Sequence, residues 1–162
     1  MNANPLRLVS ALAAVALVLT SPANGQDAGP SRPSNAPAGR YTYPAAGTVY
    51  DTKTKLTWQQ TASSAKYAWA DAKTYCAGLG TTLGGTGWRV PTMKELQTVV
   101  DETRSSPSID PTAFPGTPST FFWSSSPVTF AISPTLAWYV NFDFGEARYF
   151  NPTETFYVRC VR

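Results

Sequence analysis

The sequence contains no histidine, only two cysteines and few charged residues, and each shortage excludes a class of function. Without histidine the chain cannot build a Ser-His-Asp or Cys-His nucleophile, or a zinc site that needs imidazole. Two cysteines are too few for a four-thiolate metal site or an iron–sulfur cluster. Charged residues make up only 14% of the chain, so its surface must rely on uncharged polar side chains. Composition therefore excludes many familiar enzyme classes.

What the sequence does contain is enough apolar material for a folded domain. The chain has 162 residues, of which 43% are hydrophobic and 13% are aromatic. A chain of this length and composition usually forms one domain with a sizeable core. We find no internal repeat.

Residues 1–25 have the features of a secretory signal peptide. Arg7 supplies a positive charge, residues 8–19 form an apolar run, and small residues at 23–25 suit cleavage before Gln26 or two residues earlier. The run is short for a membrane span, although an uncleaved N-terminal anchor is the alternative. Cleavage lowers the net charge from +3 to +2, too small a charge to indicate nucleic-acid binding. We expect a secreted, periplasmic or cell-surface protein that does not insert into the membrane after cleavage.

Residues 26–40 form a Pro-rich segment whose composition indicates a flexible linker. The segment is rich in Gly, Ala, Ser, Asn and Pro and has no apolar side chain larger than Ala or Pro. Nothing in it can drive packing, so we interpret it as a tether that holds the domain off a surface. A leader without a role is the alternative. The folded domain is then expected at residues 41–162.

The first part of the domain predicts two short strands followed by a helix. Val49-Tyr50 and residues 56–59 carry strand-forming side chains and flank a turn. Leu56 and Trp58 share one face of the second strand and should point inward. The helix spans about twelve residues and precedes a glycine-rich loop at residues 81–87. Its apolar face is formed by Ala68, Ala72, Tyr75, Cys76 and Leu79.

A second helix is predicted to begin after Thr92. Thr92 and Glu95 have the spacing of a capping box, in which each side chain bonds to the other residue's backbone N–H. Apolar residues at positions 93, 96, 99 and 100 give this helix one apolar stripe. Arg89 is well placed to meet Glu95 or another acid, and Asp101-Glu102 would end the helix.

The last forty residues predict strands joined by turns. Residues 121–126 form one strand, residues 127–135 a loop, residues 147–150 the return strand of a hairpin, and residues 156–162 a final strand. In the first strand of the hairpin two sets of side chains alternate. The expected buried set is Trp138, Val140 and Phe142. The expected exposed set is Tyr139, Asn141 and Asp143.

The two cysteines suggest a covalent link between the ends of the domain. Cys76 lies near the end of the first helix and Cys160 in the final strand. In an exported protein two cysteines suggest a disulfide. Two free buried thiols are the alternative.

Several blocks of residues occur in an order typical of one domain family. The blocks are Val49-Tyr50-Asp51, Leu56-Thr57-Trp58-Gln59, Trp69-Ala70-Asp71-Ala72, Tyr75-Cys76, Gly87-Trp88-Arg89-Val90-Pro91-Thr92, Glu95-Leu96, Ile109-Asp110-Pro111, Phe114-Pro115, Phe122-Trp123-Ser124-Ser125-Ser126 and Tyr157-Val158-Arg159-Cys160-Val161-Arg162. Together they resemble the family named after the C-terminal domain of the Legionella collagen-like adhesin, over about residues 47–162. Two departures are Lys55, where the family pattern has glycine, and the lack of a Gly-X-Y collagen stalk.

The resemblance implies a C-type-lectin-like α+β fold. Two helices would surround a small twisted antiparallel sheet, with one disulfide from helix to last strand. The best-understood member looks like an adhesin that binds sulfated polysaccharides. Because a fold does not by itself define function, this carries over to the chain as an analogy.

Carboxylate pairs are the candidates for catalysis. Asp143 and Glu146 flank a turn, and residues 101–102 form a second pair. Such acids are more often solvated or turn-capping, and glycoside hydrolysis needs a defined separation across a cleft. An enzyme of the formylglycine-generating branch would need two active-site cysteines, which here are assigned to a disulfide. We therefore predict no catalytic site and no cofactor.

Calcium is a weaker alternative. Asn141 and Asp143, with residues 151–154, offer some of the oxygen ligands found in calcium-dependent lectins. A calcium site needs six to eight converging oxygens, and the sequence suggests only a few. Polar hairpin residues that face water are the favoured interpretation, so no metal ligand is predicted.

Glycan binding is the sharper hypothesis. Aromatic faces, planar polar groups and arginines can together hold a sugar, and arginine clusters hold sulfate. Arg89 and Arg159 could instead be structural ion-pair partners, and Trp58, Trp88, Trp123 and Trp138 are expected in the core. The predicted ligand-binding residues are Tyr139, Asn141, Asp143, Arg148, Tyr149 and Arg159.

These observations predict an exported, non-enzymatic binding or adhesion module. Its partner would be an extracellular polysaccharide, including sulfated polysaccharide, or a surface protein, and not a nucleic acid. A protein–protein interaction domain of the bacterial cell envelope is the alternative function.

Overall fold

The computed structural model describes Met1 and residues 38–129 and 136–162. The predicted signal peptide beyond Met1, residues 26–37 of the predicted linker and residues 130–135 of the predicted loop lie outside the described residues. The chain divides into two units, Met1–Ser31 and Arg32–Arg162, and every element described below belongs to the second.

The described residues form an α+β fold with six strands and three helices. The strands are β1 (Tyr41–Thr42), β2 (Thr48–Asp51), β3 (Thr57–Gln59), β4 (Phe121–Val128), β5 (Leu136–Asn141) and β6 (Glu146–Phe150). The helices are α1 (Trp69–Gly78), α2 (Gly80–Leu83) and α3 (Met93–Gln97). The strands make two antiparallel three-stranded sheets, β1-β2-β3 and β4-β5-β6, where one small sheet and two helices were expected.

The early strands and the first helix follow their predicted patterns. Trp58 lies opposite Val49 in the first sheet, and both side chains are fully buried. Helix α1 buries Ala72 and Cys76, which lie one turn apart on its apolar face. The loop predicted at residues 81–87 is only partly present: Gly80–Leu83 forms the single turn α2, and residues 84–87 form neither helix nor strand. The high glycine content of this segment hid that turn from pattern reasoning.

Helix α3 begins as predicted and ends earlier. Its capping box is present: the Glu95 N–H donates to Thr92 Oγ1 at 3.2 Å, and the Thr92 N–H donates to Glu95 Oε2 at 2.8 Å. The helix stops at Gln97, so Val100 and residues 101–102 lie beyond it. Val100 instead forms a β-bridge with Ile109, which takes the chain out of helical geometry.

The turn before Leu56 keeps a left-handed backbone without glycine. Lys55 has φ +64° and is exposed. Its N–H donates to Asp51 O at 2.8 Å and closes the turn. The family's glycine position is therefore occupied here by a residue that bears the steric cost of this conformation.

The C-terminal segment connects the two sheets. Thr57 and Arg162 exchange two backbone hydrogen bonds at 2.9 Å beside β3, and the Trp123 N–H donates to Tyr157 O at 3.0 Å beside β4. Because successive residues bond to different segments, residues 156–162 form isolated bridges and not the predicted regular strand.

The predicted disulfide between Cys76 and Cys160 is confirmed. The two Cα atoms are 5.5 Å apart, and both residues are fully buried. The bond joins α1 to the C-terminal segment that connects the sheets. It therefore ties together the helix and both sheets.

The core consists of two clusters of buried side chains, one against each face of β5. Val140 and Phe142 belong to the first cluster, which also contains Trp58 and Leu96. Tyr139 belongs to the second cluster. The other members of the second cluster are Ala72, Cys76, Leu79, Trp88, Val90, Trp123, Ala137, Phe156, Val158 and Cys160. The predicted core positions of Trp58, Trp88 and Trp123 are confirmed, whereas Trp138 is only half-buried.

Arg40, assigned from sequence to the end of the linker, is buried in the domain. Its Nη2 lies 2.7 Å from Asp51 Oδ2 and also donates to Thr98 O at 2.7 Å. Burial raises the pKa of Asp51, but the hydrogen bonds from Arg40 and Lys53 outweigh it and leave that pKa below its ordinary value. Arg40 therefore belongs to the folded domain, one residue before its predicted start.

Candidate functional site

The β5–β6 hairpin places the predicted binding residues on two faces. Tyr139 lies opposite Arg148, and Asn141 lies opposite Glu146. Since side chains alternate along a strand, these four residues share one face. Tyr149 lies opposite Trp138 on the other face, so the expected single mixed surface is divided.

The turn of the hairpin is held by its own hydrogen bonds and by the core. Asn141 Oδ1 accepts from the Asp143 N–H at 3.0 Å, and Asn141 O accepts from the Gly145 N–H at 2.8 Å. Gly145 has φ +82°, and a Cβ atom there would lie 2.6 Å from Val100 Cγ1. A glycine is required for both reasons. The turn is therefore fixed against the first core cluster.

A cleft of about 420 Å³ lies on this hairpin. Tyr149 and Phe150 are 45% and 49% exposed, so a ligand in solution can reach both side chains. The Tyr149 ring meets the half-buried Trp138 ring edge-on, with centroids 5.3 Å apart. The cleft is lined by Trp138, Tyr139, Ala147, Arg148, Tyr149 and Phe150. Exposed rings at such a cleft offer apolar faces to a ligand.

The charge of Arg148, which lines the cleft, is neutralised by Glu146, which is not among the lining residues. Glu146 Oε2 accepts from Arg148 Nε at 2.9 Å and lies 2.8 Å from Arg148 Nη2. Hydrogen bonding to Glu146 raises the pKa of Arg148. Both side chains are largely exposed, so the pair presents donors and acceptors to the solvent without net charge.

Tyr139 is not exposed as predicted. Its side chain is 7% exposed and packs against Phe121, with ring centroids 4.9 Å apart, and against Phe156, at 5.1 Å. The alternation along β5 was correct, but its exposed side is covered by the second core cluster. Tyr139 therefore supports the cleft from below and has little surface to offer.

Asp143 and Arg159 are not part of the cleft lining. Asp143 Oδ1 accepts from Ser106 Oγ at 2.7 Å, which ties the hairpin turn to the preceding loop. Arg159 is fully buried: its Nη1 donates to Gln59 O at 2.9 Å and its Nη2 to Thr117 Oγ1 at 2.7 Å. Both side chains are therefore engaged within the domain.

The alternative assignment of arginines to ion pairs holds for one of the two. Arg89 binds Glu95 with two parallel hydrogen bonds of 2.8 and 2.7 Å. No ion pair among residues 38–129 and 136–162 involves Arg159. Burial lowers the pKa of Arg159 to about 9, and its guanidinium carbon lies 4.6 Å from the Phe114 ring centroid.

Sequence reasoning missed Phe150, which lines the cleft, and the role of Glu146, which does not line the cleft but pairs with Arg148. Glu146 was considered only as a catalytic acid, and Phe150 only as a strand residue. Glu146 and Arg148 have opposite charges two positions apart in a strand, a spacing that places both on one face. That spacing was the available signal for their pair. The exposure of Phe150 had no signal in the sequence.

Asp101, a member of the second carboxylate pair considered for catalysis, is bonded within the domain. Asp101 is 2% exposed, and its carboxylate accepts from Thr103 Oγ1 at 2.6 Å and from Arg104 Nε at 3.1 Å. In the part of the chain that the structure describes, no three Cys, Asp or Glu side chains are grouped to hold a metal ion. Within the same residues, no helix is long and apolar enough to cross a membrane.

A second groove, of about 470 Å³, lies beside α1 and includes Tyr67, Asp71 and Tyr75. The two tyrosine rings stack on each other with centroids 4.8 Å apart. Gln59 Nε2 also donates to the Tyr75 hydroxyl at 2.8 Å. The two ring faces that stack on each other are not available to a ligand. We therefore favour the hairpin cleft as the candidate site, although its volume is smaller.

The fold is thus a small disulfide-bonded α+β domain that carries exposed aromatic rings on a rigid hairpin. The family model described as the Lcl C-terminal domain matches residues 47–162. The chain belongs to the Lcl C-terminal domain family, as its sequence blocks predicted. This membership suggests an adhesin-like module. A comparison with curated proteins finds no match.

Proposed function

We propose that this chain is an exported, non-enzymatic binding module that recognises a glycan through the β5–β6 hairpin. The observation that carries the proposal is the cleft of about 420 Å³, whose lining includes the exposed residues Tyr149 and Phe150 together with Arg148, which is paired with Glu146. The predicted signal peptide and the buried disulfide support export, because such bonds persist in oxidising compartments. The family resemblance further supports a C-type-lectin-like architecture.

The chemistry of the cleft suits a carbohydrate. The C–H face of a sugar ring packs on an aromatic face, and its hydroxyl groups both donate and accept hydrogen bonds. Arg148 supplies donors and Glu146 supplies acceptors within 3 Å of each other. Pre-organisation reduces the entropy lost on binding, and the core contacts of Tyr139 and Gly145 fix the hairpin before a ligand arrives.

Binding of the purified mature chain to a panel of immobilised polysaccharides tests the proposal. We expect retention on at least one polysaccharide, and the double substitution Tyr149→Ala/Phe150→Ala should weaken it about tenfold or more. Tyr43→Ala is the matched control, since Tyr43 is a 52% exposed ring outside the hairpin. Retention on no polysaccharide, or an equal loss in the control, would contradict the proposal.

A protein partner is the alternative, and one observation favours it. Strand β6 lies at the end of the sheet order β4-β5-β6, and four of its five residues are exposed. An extended peptide can add to such an edge by main-chain hydrogen bonds. Capture of one defined envelope protein, with no retention on polysaccharides and with loss of capture in Ala147→Pro, would support this alternative. Pro at an edge strand removes a backbone donor.

A further inference from the structure

The electrostatic character of the hairpin is decided by three charged residues. Residues 141–150 contain two acids, Asp143 and Glu146, and one base, Arg148, so the segment has a net charge of −1. Arg148 alone among the six lining residues is cationic, and its guanidinium is bonded to Glu146 at 2.8 and 2.9 Å. A sulfate group at this cleft would meet a guanidinium whose charge is already compensated by Glu146.

No second cation reinforces Arg148 in the cleft lining. Arg159, the other arginine assigned to the site from sequence, is fully buried and bonded to Gln59 and Thr117. Two other basic side chains, which do not line the cleft, lie against rings: Lys66 Nζ lies 5.4 Å from the Tyr157 ring centroid, and Arg162 Cζ lies 5.3 Å from that of Trp88. Recognition of sulfate usually depends on a cluster of Arg or Lys, which this lining does not contain.

The same arrangement matches a ligand without charge. Sugar hydroxyls can bond to Arg148 and Glu146 at once, because each hydroxyl donates one bond and accepts others. The rings of Tyr149 and Phe150 are uncharged, and their electron-rich faces attract cations but not anions. An ion pair that is already satisfied remains paired when such a ligand binds, so no charge has to be desolvated alone.

We infer that the hairpin cleft selects uncharged polysaccharides and discriminates against sulfated ones. This inference rests on the proposed function and specifies the ligand class of the same cleft. The inferred ligand class differs from the one that the family resemblance suggested, which was a sulfated polysaccharide.

Three matched pairs of polysaccharides test this selectivity: laminarin, dextran and agarose oligosaccharides, each beside its chemically sulfated derivative. We expect the uncharged member of at least one pair to bind about tenfold more tightly than its derivative. Its affinity should change less than about twofold between roughly 50 and 500 mM NaCl, because screening affects only charged partners. Tighter binding of the sulfated members, lost at high salt, would overturn the inference and leave the proposed function standing. Binding of no member would overturn both.

The substitution Glu146→Gln gives a second test on the folded chain. This substitution keeps the size of the side chain and removes the negative charge that neutralises Arg148. The preference for the uncharged polysaccharide over its sulfated derivative should therefore fall about fivefold or more and become salt-dependent. Glu102→Gln removes the same charge from an exposed residue outside the cleft and is the matched control. An unchanged preference in Glu146→Gln, with a native melting temperature, would contradict the role given to this pair.

Discussion

At the scale of single residues, the polar contacts of Glu95 and Arg89 show how local sequence and tertiary position act together. Glu95 closes the capping box of α3 and binds Arg89 Nη2 at 2.7 Å. Arg89 is in turn held by two backbone bonds to Val161 in the C-terminal segment. One carboxylate therefore links the start of a helix to the end of the chain.

Glu95 should make stability depend on pH. Hydrogen bonds from Arg89, opposed by burial and aided by Thr92, lower the pKa of Glu95 to about 2 from 4.5. A carboxyl group with a lowered folded-state pKa stabilises the fold above pH 4.5, and this contribution is lost as the pH falls toward 2. Because Arg89 is half-exposed, solvent screening limits the contribution of Glu95 to the free energy of unfolding to roughly 1 kcal/mol. Urea unfolding at several pH values should show a shallower pH dependence in Glu95→Gln; the same curve in both proteins would contradict this.

Lys55 offers a stabilising substitution. A φ of +64° costs an L-residue about 1–2 kcal/mol, and glycine avoids this cost. Glycine also makes the unfolded chain more flexible, which offsets part of the gain in stability. Lys55→Gly should therefore raise the free energy of unfolding by about 0.5–1 kcal/mol. Lys53→Gly, in the same turn at an exposed residue without positive φ, should lower it. Destabilisation by both substitutions would show that the conformation of Lys55 bears little cost.

At the scale of elements, the β5–β6 hairpin depends on its turn. The turn residues bond to one another, and Ser106 N donates to Asp143 O at 2.9 Å, so the preceding loop also supports it. Strand β5 is buried on both faces, which leaves β6 as the part of the hairpin that a ligand can reach. Any change that tilts the turn should therefore alter the cleft.

Gly145→Ala should disturb this turn in two ways. An added Cβ would lie 2.6 Å from Val100 Cγ1, and φ is +82°. Gly116→Ala is the control, since Gly116 has φ +65° but nothing within 4 Å of its Cβ position. We expect Gly116→Ala to cost about 1 kcal/mol of unfolding free energy and Gly145→Ala about 2–3 kcal/mol. Equal costs, measured by urea unfolding, would mean that the core yields around residue 145.

Prediction at this scale succeeded where the signal was local. The capping box and the apolar face of α1 depend on residues three or four positions apart, and both are present. The length of α3 was wrong because Val100 pairs with Ile109, a partner that the local pattern does not reveal. The exposed side of β5 was wrong for a similar reason, since Tyr139 meets Phe156 from a distant segment.

At the scale of the whole molecule, the C-terminal segment and its disulfide hold the two sheets together. Residues 156–162 bond to β3 on one side and to β4 on the other. Cys160 lies in this segment and Cys76 in α1. The stability of the domain should therefore depend strongly on this single covalent bond.

Removal of the disulfide should be costly. The bond closes a loop of 84 residues, which corresponds to about 4–5 kcal/mol in the chain-entropy model, an upper guide. We expect the double substitution Cys76→Ala/Cys160→Ala to lower the free energy of unfolding by several kcal/mol. The reducing agent dithiothreitol should shift the wild-type urea midpoint in the same direction and leave that of the double variant unchanged. A loss below about 1 kcal/mol would mean that noncovalent packing alone holds the segment.

The sequence by itself determined the family, the two cysteines available to pair, the strand alternation and the starts of α1 and α3, because each depends on residue identity or near neighbours. Only the tertiary structure decided that Arg40 pairs with Asp51, that Arg159 is buried with no carboxylate partner among the described residues, and that Tyr139 lies inside. Each of these depends on which distant segments cover a side chain. Strand alternation divides side chains between two faces, but burial of a face requires a partner surface, and here both faces of β5 have one.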